Sequence, residues 1–172
     1  MARRFVPARR TVFDLGDIET WVTNIKNTIS EEAAEMIVTS LKEEGPYWTG
    51  QFEEGWRVEL GRKEIPATQE PLMTQEERRA YGQGTRQVTP VPGGIPKATG
   101  RKSIEYSIDN VTSYRDIAKD LVPGRFEDGK RNTAPKDWYA KYTLGGKLMN
   151  DLERATQRAA SQKGIRDFKG KL

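Results

Sequence analysis

The sequence predicts an α+β fold in which one long N-terminal helix packs on a small antiparallel sheet. Three patterns support this prediction. An apolar stripe with a helical period runs through residues 17–44, two short segments alternate apolar and polar residues, and a second amphipathic helix lies near the C-terminus. A chain of 172 residues fits a single domain spanning residues 1–172, with its core in residues 14–60 and 104–161.

The composition limits the chemistry that the chain can perform. It contains neither Cys nor His, so a disulfide framework, thiolate chemistry and the commonest metal ligand and general base are all excluded. The mean hydropathy is -0.80, and no apolar window is long enough for a membrane span or a signal peptide. We therefore expect a cytoplasmic protein that is not an enzyme and needs no cofactor or metal.

The formal charge of +4 is concentrated at the two ends. We interpret residues 1–13 as an N-terminal arm and residues 162–172 as a basic C-terminal tail, while the body between them is weakly acidic. A reader of duplex DNA would instead carry its basic residues on the fold itself. The basic side chains of these arms are Arg3, Arg4, Arg9, Arg10, Lys163, Arg166, Lys169 and Lys171.

The long helix is predicted over residues 17–44. Asp17 suits an N-cap, Glu19 suits the positive end of the helix dipole, and Gly45-Pro46 supplies a stop. At 1.5 Å per residue such a helix is on the order of 40 Å long. Its predicted apolar stripe consists of Ile18, Trp21, Val22, Ile25, Ile29, Ala33, Met36, Ile37 and Leu41.

A corner rich in aromatic residues follows the helix and leads into the first strand. We expect Thr49 and Gly50 to shape this corner, because glycine permits a backbone geometry that a side chain resists. Trp56, Val58 and Leu60 alternate with polar residues and predict a strand. The aromatic residues either close the open end of the core or anchor a neighbouring subunit. The predicted corner comprises Pro46, Thr49, Gly50 and Trp56, and the predicted core or interface anchors are Tyr47, Trp48, Phe52, Tyr114 and Trp138.

Residues 61–103 are predicted to form a long loop excursion from the fold. They contain five Pro and six Gly with few large apolar side chains, and they are longer than an ordinary connection within a domain. A capping box at Thr74 predicts a short helix ending near residue 82. We expect the loop to be mobile in the monomer and ordered by contacts in an assembly.

The second half of the chain returns to the core at residues 104–110. Alternation there predicts a second strand, which we expect to pair antiparallel with the first strand. Capping residues predict a short helix over residues 113–121, and Ala134-Pro135 precedes re-entry to the fold. A last helix over residues 146–161 should pack beside the long helix with a stripe formed by Leu144, Leu148, Leu152, Ala155 and Ala159.

Two apparent catalytic motifs are rejected. The segment from Gly94 to Lys102 has the wrong spacing for a phosphate-binding loop and contains an interrupting proline. Acidic pairs at residues 43–44 and 53–54 are typical of solvated helix ends and turns. We therefore predict no catalytic, metal-binding or cofactor-binding residue.

The order of elements and motifs resembles the tail-completion or head-tail joining proteins in the neck of tailed bacteriophages. The matching features are the long helix, two strands, a terminal amphipathic helix, and the residues Pro46, Thr49, Gly50, Gln51, Phe52, Trp56, Asn110, Tyr114, Ala134 and Pro135. Gly55 departs from the family pattern, which tends to have Ser there, and Arg115 stands where a small residue is usual.

The resemblance implies a virion structural protein without catalysis. Such a protein is assembled in the host cytoplasm, forms a homo-oligomeric ring of six or twelve copies between head and tail, and leaves a lumen for DNA passage. Its implied partners are portal or adaptor proteins and tail-tube or terminator proteins, with no membrane. Two alternatives stay open, a tail-tube terminator ring and a small DNA-binding protein that uses its basic tails.

Overall fold

The structure, a computed structural model, describes residues 15–46, 50–68, 74, 76, 89–98, 104–113, 115 and 137–162. Within them the helices are α1 (Leu15–Glu44), α2 (Gln51–Glu54), α3 (Trp138–Leu144) and α4 (Lys147–Ser161), and the strands are β1 (Trp56–Leu60) and β2 (Tyr106–Asn110). The chain has the predicted α+β fold, with the long N-terminal helix on a small antiparallel sheet.

Helix α1 confirms the predicted long helix and begins two residues earlier. It contains 30 residues, about 45 Å at 1.5 Å per residue. Its end is fixed by Gly45, whose backbone N–H donates to the Leu41 carbonyl at 3.0 Å. A Cβ on Gly45 would lie 2.8 Å from that carbonyl oxygen and 3.3 Å from the rings of Phe52 and Trp138. The chain can therefore leave α1 close to the core because this residue has no side chain.

The two strands pair antiparallel, as the sequence predicts. The register places Trp56 opposite Asn110 and Leu60 opposite Tyr106. Backbone hydrogen bonds extend the ladder at both ends, from Val111 to Gly55 at 2.9 Å and from Gly61 to Glu105 at 2.7 Å. Strand β2 is shorter than the predicted segment, since Ile104 and Glu105 lie outside it.

The C-terminal region is divided into two helices by Gly145 and Gly146. Gly146 has φ 91°, a left-handed conformation that ends one helix and begins the other. Leu144 therefore belongs to α3 instead of the α4 stripe, and its side chain is 87% exposed, so its predicted place in the stripe is wrong. Ala155 and Ala159 are buried, as predicted.

Helix α4 packs along the C-terminal half of α1, in the opposite direction. Lys147, the first residue of α4, forms an ion pair with Glu44 at the end of α1. Gln162, just after α4, donates to the Glu32 carboxylate at 2.5 Å. These two contacts align α4 with residues 32–44, so the first part of α1 continues beyond α4.

The core lies between the C-terminal half of α1, the sheet and α3. Ala34 and Val38 are central to it, although the predicted stripe omitted both. Val22, which the stripe included, is 38% exposed, and residues 18–26 contain no buried side chain. The buried members of this core are Ala34, Val38, Leu41, Phe52, Trp56, Val58, Trp138 and Tyr142.

Both ends of the predicted excursion lie on the body. Ile65 is buried, and Val91 and Ile95 pack against the core. Thr68 forms a parallel bridge with Thr112. These contacts place the described ends of the segment on the fold, whereas the sequence predicts an excursion from it.

Several sequence predictions fall outside the described residues. They are the basic arm and tail, most of the predicted helices that begin at Thr74 and at Ser113, and residues 69–73 and 77–88 of the excursion. Thr74 itself is not helical and Glu76 is helical. None of the helices that the structure describes is long and apolar enough to cross a membrane.

Candidate functional site

The turn from α1 to β1 has the backbone geometry that the sequence predicts at Gly50. This residue has φ 74° and ψ -15°, in the left-handed region, and its carbonyl accepts the Glu54 N–H at 2.9 Å. It immediately precedes the single turn of α2. Pro46 is half-buried, whereas Tyr47, Trp48 and Thr49 lie outside the described residues.

The aromatic residues that the structure describes at this corner close the core. Phe52 contacts Trp56 and Trp138 edge to face, with ring centroids 5.7 Å and 6.0 Å apart. All three side chains are at most 5% exposed. These rings support the first of the two interpretations, since their surfaces are already covered by their own chain. Tyr114, another predicted anchor, is outside the described residues.

Asn110 ties the corner to the sheet through its buried amide. The side-chain NH₂ donates to the Phe52 carbonyl at 2.6 Å, and the side-chain oxygen accepts from the N–H and the hydroxyl of Thr112 at 3.0 Å and 2.8 Å. The residue is fully buried. A Cβ on Gly55 would collide with this amide oxygen and lie 2.8 Å from Thr112 Cγ2. The close approach of Asn110 therefore leaves no room for a side chain at residue 55.

Arg115 fixes the strand end from the outside. Its guanidinium donates to the Ile65 carbonyl at 2.7 Å and to the Asn110 carbonyl at 3.2 Å, and it pairs with the Asp109 carboxylate at 3.0 Å. One side chain therefore joins β2 to the first part of the excursion. A small residue at position 115 could not make these three contacts.

Lys42 holds the returning end of the excursion against α1. Its ammonium donates to the Thr89 carbonyl at 3.0 Å and to the Thr89 hydroxyl at 3.2 Å, and it is 1% exposed. Burial lowers the pKa of this ammonium, and the charges of Glu54 and Glu53 act in the opposite direction. The Thr89 hydroxyl also donates to Glu54. The arrangement anchors a loop, and no periodic pattern predicts it because Lys42 lies outside the predicted stripe.

Tyr142 and Asp151 form a buried polar pair between α3 and α4. The phenol donates to the Asp151 carboxylate at 2.8 Å. Burial raises the pKa of Tyr142 well above its usual value, and the hydrogen bond to Asp151 raises it further. The pair sets the angle between the two helices. Sequence reasoning misses it because the patterns predict α4 but do not predict α3, which carries Tyr142.

The described surface exposes large apolar side chains in two places. Val22 is 38% exposed on the first part of α1. Leu144 and Met149 are 87% and 58% exposed where α3 meets α4. The flanking residues Ile18 and Ile25 are half-buried. These are the surfaces at which the described body has apolar area left to bury in a contact with another protein.

Among the described residues no group of three or more acidic side chains is arranged to hold a metal ion. The carboxylates of the acidic pairs at residues 43–44 and 53–54 have different surroundings. Glu53 is buried and Glu54 accepts from Thr89, whereas Glu44 pairs with Lys147.

No family model, curated protein or solved structure matches this chain. The candidate site is the exposed apolar surface at Val22, Leu144 and Met149. The hydrogen bonds of Lys42, Asn110 and Arg115 fix the corner and the loop of the body that carries it.

Proposed function

We propose that this chain is a structural subunit of the neck of a tailed bacteriophage, a tail-completion or head-tail joining protein that assembles as a homo-oligomeric ring. The single observation that carries the proposal is the first part of α1, which extends beyond the core with its apolar stripe incompletely covered. A subunit that assembles with copies of itself uses such a surface.

The extension of α1 is too long to be only the frayed first turn of a helix. Residues 15–26 correspond to about 18 Å of helix at 1.5 Å per residue. The first described side chain of α1 that is buried is Asn27, which accepts the backbone N–H of Ile104 at 3.1 Å. Ile18, Val22 and Ile25 precede this contact on the same face. A helix polar on all sides would be the expected form if water were its only neighbour.

The sheet supports the same proposal. In the described part of the chain, β1 and β2 pair only with each other. A two-stranded sheet is marginal in isolation, and each outer edge carries backbone groups able to pair with another chain. The polar network around Asn110 keeps these strands in a fixed register, so their edges are held ready for a neighbouring copy.

The resemblance supplies the kind of assembly. Trp56 and Asn110, two of its motif residues, lie directly opposite each other in the sheet, and Gly50 provides the left-handed turn before them. The motif therefore corresponds to one connected structural unit in this chain. That correspondence favours the neck over the tail-tube terminator or a DNA-binding protein.

The test is to mix the purified full-length chain with the portal and tail proteins encoded beside it. We expect rings in negative-stain micrographs and co-sedimentation with one of these proteins at physiological salt. Affinity for duplex DNA that falls steeply with salt, without binding to any virion protein, would instead establish the DNA-binding alternative. Loss of rings from infected-cell lysates when the gene is deleted, with heads and tails accumulating separately, is the corresponding result in vivo.

A further inference from the structure

Two exposed apolar surfaces lie at opposite ends of the described body. The α1 patch is formed by Glu19, Val22 and Lys26. The corner patch lies where α3 meets α4, not at the corner between α1 and β1, and is formed by Lys141, Leu144, Met149 and Glu153. Val22, Leu144 and Met149 are the large hydrophobic residues that are exposed within the described ranges.

The separation of the two patches follows from the helix packing. Lys147 pairs with Glu44, so the corner patch lies beside the C-terminal end of α1. Val22 is 22 residues before Glu44, which corresponds to about 33 Å along the helix. Two apolar surfaces this far apart cannot cover each other within one chain. They are suited to a head-to-tail contact, which closes into a ring when the rotation between copies allows it.

The charges around the two patches are complementary. On α1, Glu19 lies three residues before Val22 and Lys26 four residues after it, so both flank the same face. In the corner patch, Lys141 lies three residues before Leu144 on α3, and Glu153 lies four residues after Met149 on α4. The order is acid, apolar, base in one patch and base, apolar, acid in the other. All four charged side chains are exposed.

We propose that the α1 patch of one copy binds the corner patch of the next copy, with Glu19 facing Lys141 and Lys26 facing Glu153. The half-buried Ile18 and Ile25 extend the apolar contact on the α1 side. This inference rests on the proposed ring and identifies the surfaces through which it forms. A twofold contact of the α1 patch with itself would pair Glu19 with Lys26 of the other copy, so charge alone does not separate the two arrangements and the single-cysteine variants below distinguish them.

The absence of cysteine from the sequence makes a cross-linking test free of background. The double variant Val22→Cys with Leu144→Cys, treated with a short bismaleimide, should give a ladder of dimers, trimers and larger species. Each single variant should give no intermolecular product, because a head-to-tail contact brings the two positions together without bringing either one to its own copy. The highest band of the ladder then counts the subunits of the ring.

The matched control pairs Val22→Cys with Glu59→Cys. Glu59 is exposed on β1, away from both patches. This variant should give no ladder under the same conditions. Thermal unfolding followed by circular dichroism verifies that every variant is folded. Where the free chain is monomeric, the same reaction is carried out on the chain bound to the portal ring.

A charge exchange tests the proposed register. Glu19→Lys alone and Lys141→Glu alone should each raise the concentration at half-assembly several-fold in sedimentation velocity. The two reversals combined should restore assembly to within about twofold of the unmodified chain. Two reversals that act independently, with the double variant weaker than either single variant, would show that these residues do not face each other and would overturn the register.

The outcomes separate this inference from the proposed function. Dimers from Val22→Cys alone indicate a twofold contact and overturn the head-to-tail arrangement. Rings that bind the portal yet give no Val22–Leu144 ladder overturn it as well, while the neck function stands. A chain that neither assembles nor binds a portal or tail protein overturns both.

Discussion

Asn110 uses both ends of its amide to connect three segments of backbone. It joins the end of α2, the end of β2 and the residue that pairs with the excursion. Buried polar groups of this kind stabilise a fold when fully bonded and destabilise it strongly when one partner is removed. Asn110 is therefore the residue at which we expect the corner to be most sensitive to substitution.

Asn110→Ala is expected to lower the free energy of unfolding by about 2–3 kcal/mol, because the Thr112 N–H and hydroxyl lose their buried acceptor and the Phe52 carbonyl loses one of its two donors. Urea denaturation followed by tryptophan fluorescence measures the change. The control is Asn150→Ala on exposed α4 surface, with a change within about 0.5 kcal/mol. A loss below about 1 kcal/mol at Asn110 would show that water replaces the amide.

Gly55 and Gly61 require glycine for different reasons, the first for lack of space and the second for its backbone conformation. Gly55 has an ordinary φ of -75°, but a Cβ there collides with Asn110. Gly61 has φ 85°, and a Cβ there meets nothing within 4 Å. We expect Gly55→Ala to destabilise by about 2–3 kcal/mol and Gly61→Ala by about 1 kcal/mol. Equal effects in chemical denaturation would contradict the distinction.

The raised pKa of Tyr142 predicts an alkaline dependence of stability. Above pH 10, the usual pKa of tyrosine, the unfolded chain loses the phenolic proton while the folded chain retains it. The folded state then binds more protons, so stability decreases as pH rises above that value. In urea titrations between pH 8 and pH 10.5, the stability difference between the unmodified chain and Tyr142→Phe should shrink toward the alkaline end. A difference independent of pH would refute the assignment.

At the scale of elements, the packing of α4 on α1 depends on small side chains. Ala33 and Ala34 are buried on α1, and Ala155 and Ala159 are buried on α4. Small residues on both helices permit a short distance between the helix axes. The contact covers residues 32–44 of α1 and does not extend to the first part of that helix.

Ala155→Leu is expected to destabilise the fold by about 1–3 kcal/mol, because the added carbons enter a fully buried position between two helices. Ala160→Leu, one of the exposed positions of the same helix, is the matched control and should change stability by less than about 0.5 kcal/mol. Thermal melting of the two variants measures the difference. Comparable melting temperatures would indicate that the helices separate to accept the larger residue.

The elements themselves could be predicted from the sequence, because periodicity and stop signals act locally. The end of α1 at Glu44, the strand Trp56–Leu60 and its antiparallel pairing follow from such patterns, whereas α1 begins two residues before its predicted start and no pattern predicts α2 or α3. The face that α1 buries could be predicted only in part: Ala33 and Leu41 of the predicted stripe are buried, but apolar residues occupy two neighbouring faces and the core also takes Ala34 and Val38. Leu144 was misplaced because the backbone break at Gly145-Gly146 gives no hydropathy signal.

The polar part of the candidate site was harder to predict than the fold. Asn110 was noticed only through the resemblance, and its partners are carbonyl and amide groups that no side-chain pattern reveals. Lys42 reads as a surface residue in the sequence, yet contacts across 47 positions bury it. Long-range contacts of this kind depend on how the chain is closed in space, which local spacing does not determine.

At the scale of the whole molecule, one end of the described body holds the core, the corner and α4, and the other end is the first part of α1 with its half-covered stripe. A substitution at a buried position of the first end should affect folding. A substitution at an exposed apolar position, Val22 on α1 or Leu144 and Met149 where α3 meets α4, should affect the proposed assembly instead.

Val22→Asp is expected to abolish ring assembly while leaving the melting temperature of the monomer within about 2 °C, because Val22 is partly exposed and outside the core. Val38→Asp, an identical change at a position with no exposure, should unfold the chain. Analytical ultracentrifugation and circular dichroism separate the two effects. Assembly of the Val22→Asp variant at the concentration of the unmodified chain would exclude α1 from the contact.

The anchored ends of the excursion have a consequence for how this protein can change. Thr68 is fastened to Thr112, and Thr89 is fastened to Lys42, so the body fixes where the intervening twenty positions leave and return. Lengthening a loop between fixed points adds only a slowly growing entropic term, about 0.6 kcal/mol for each doubling. An insertion between these two anchors is thus expected to cost little closure entropy.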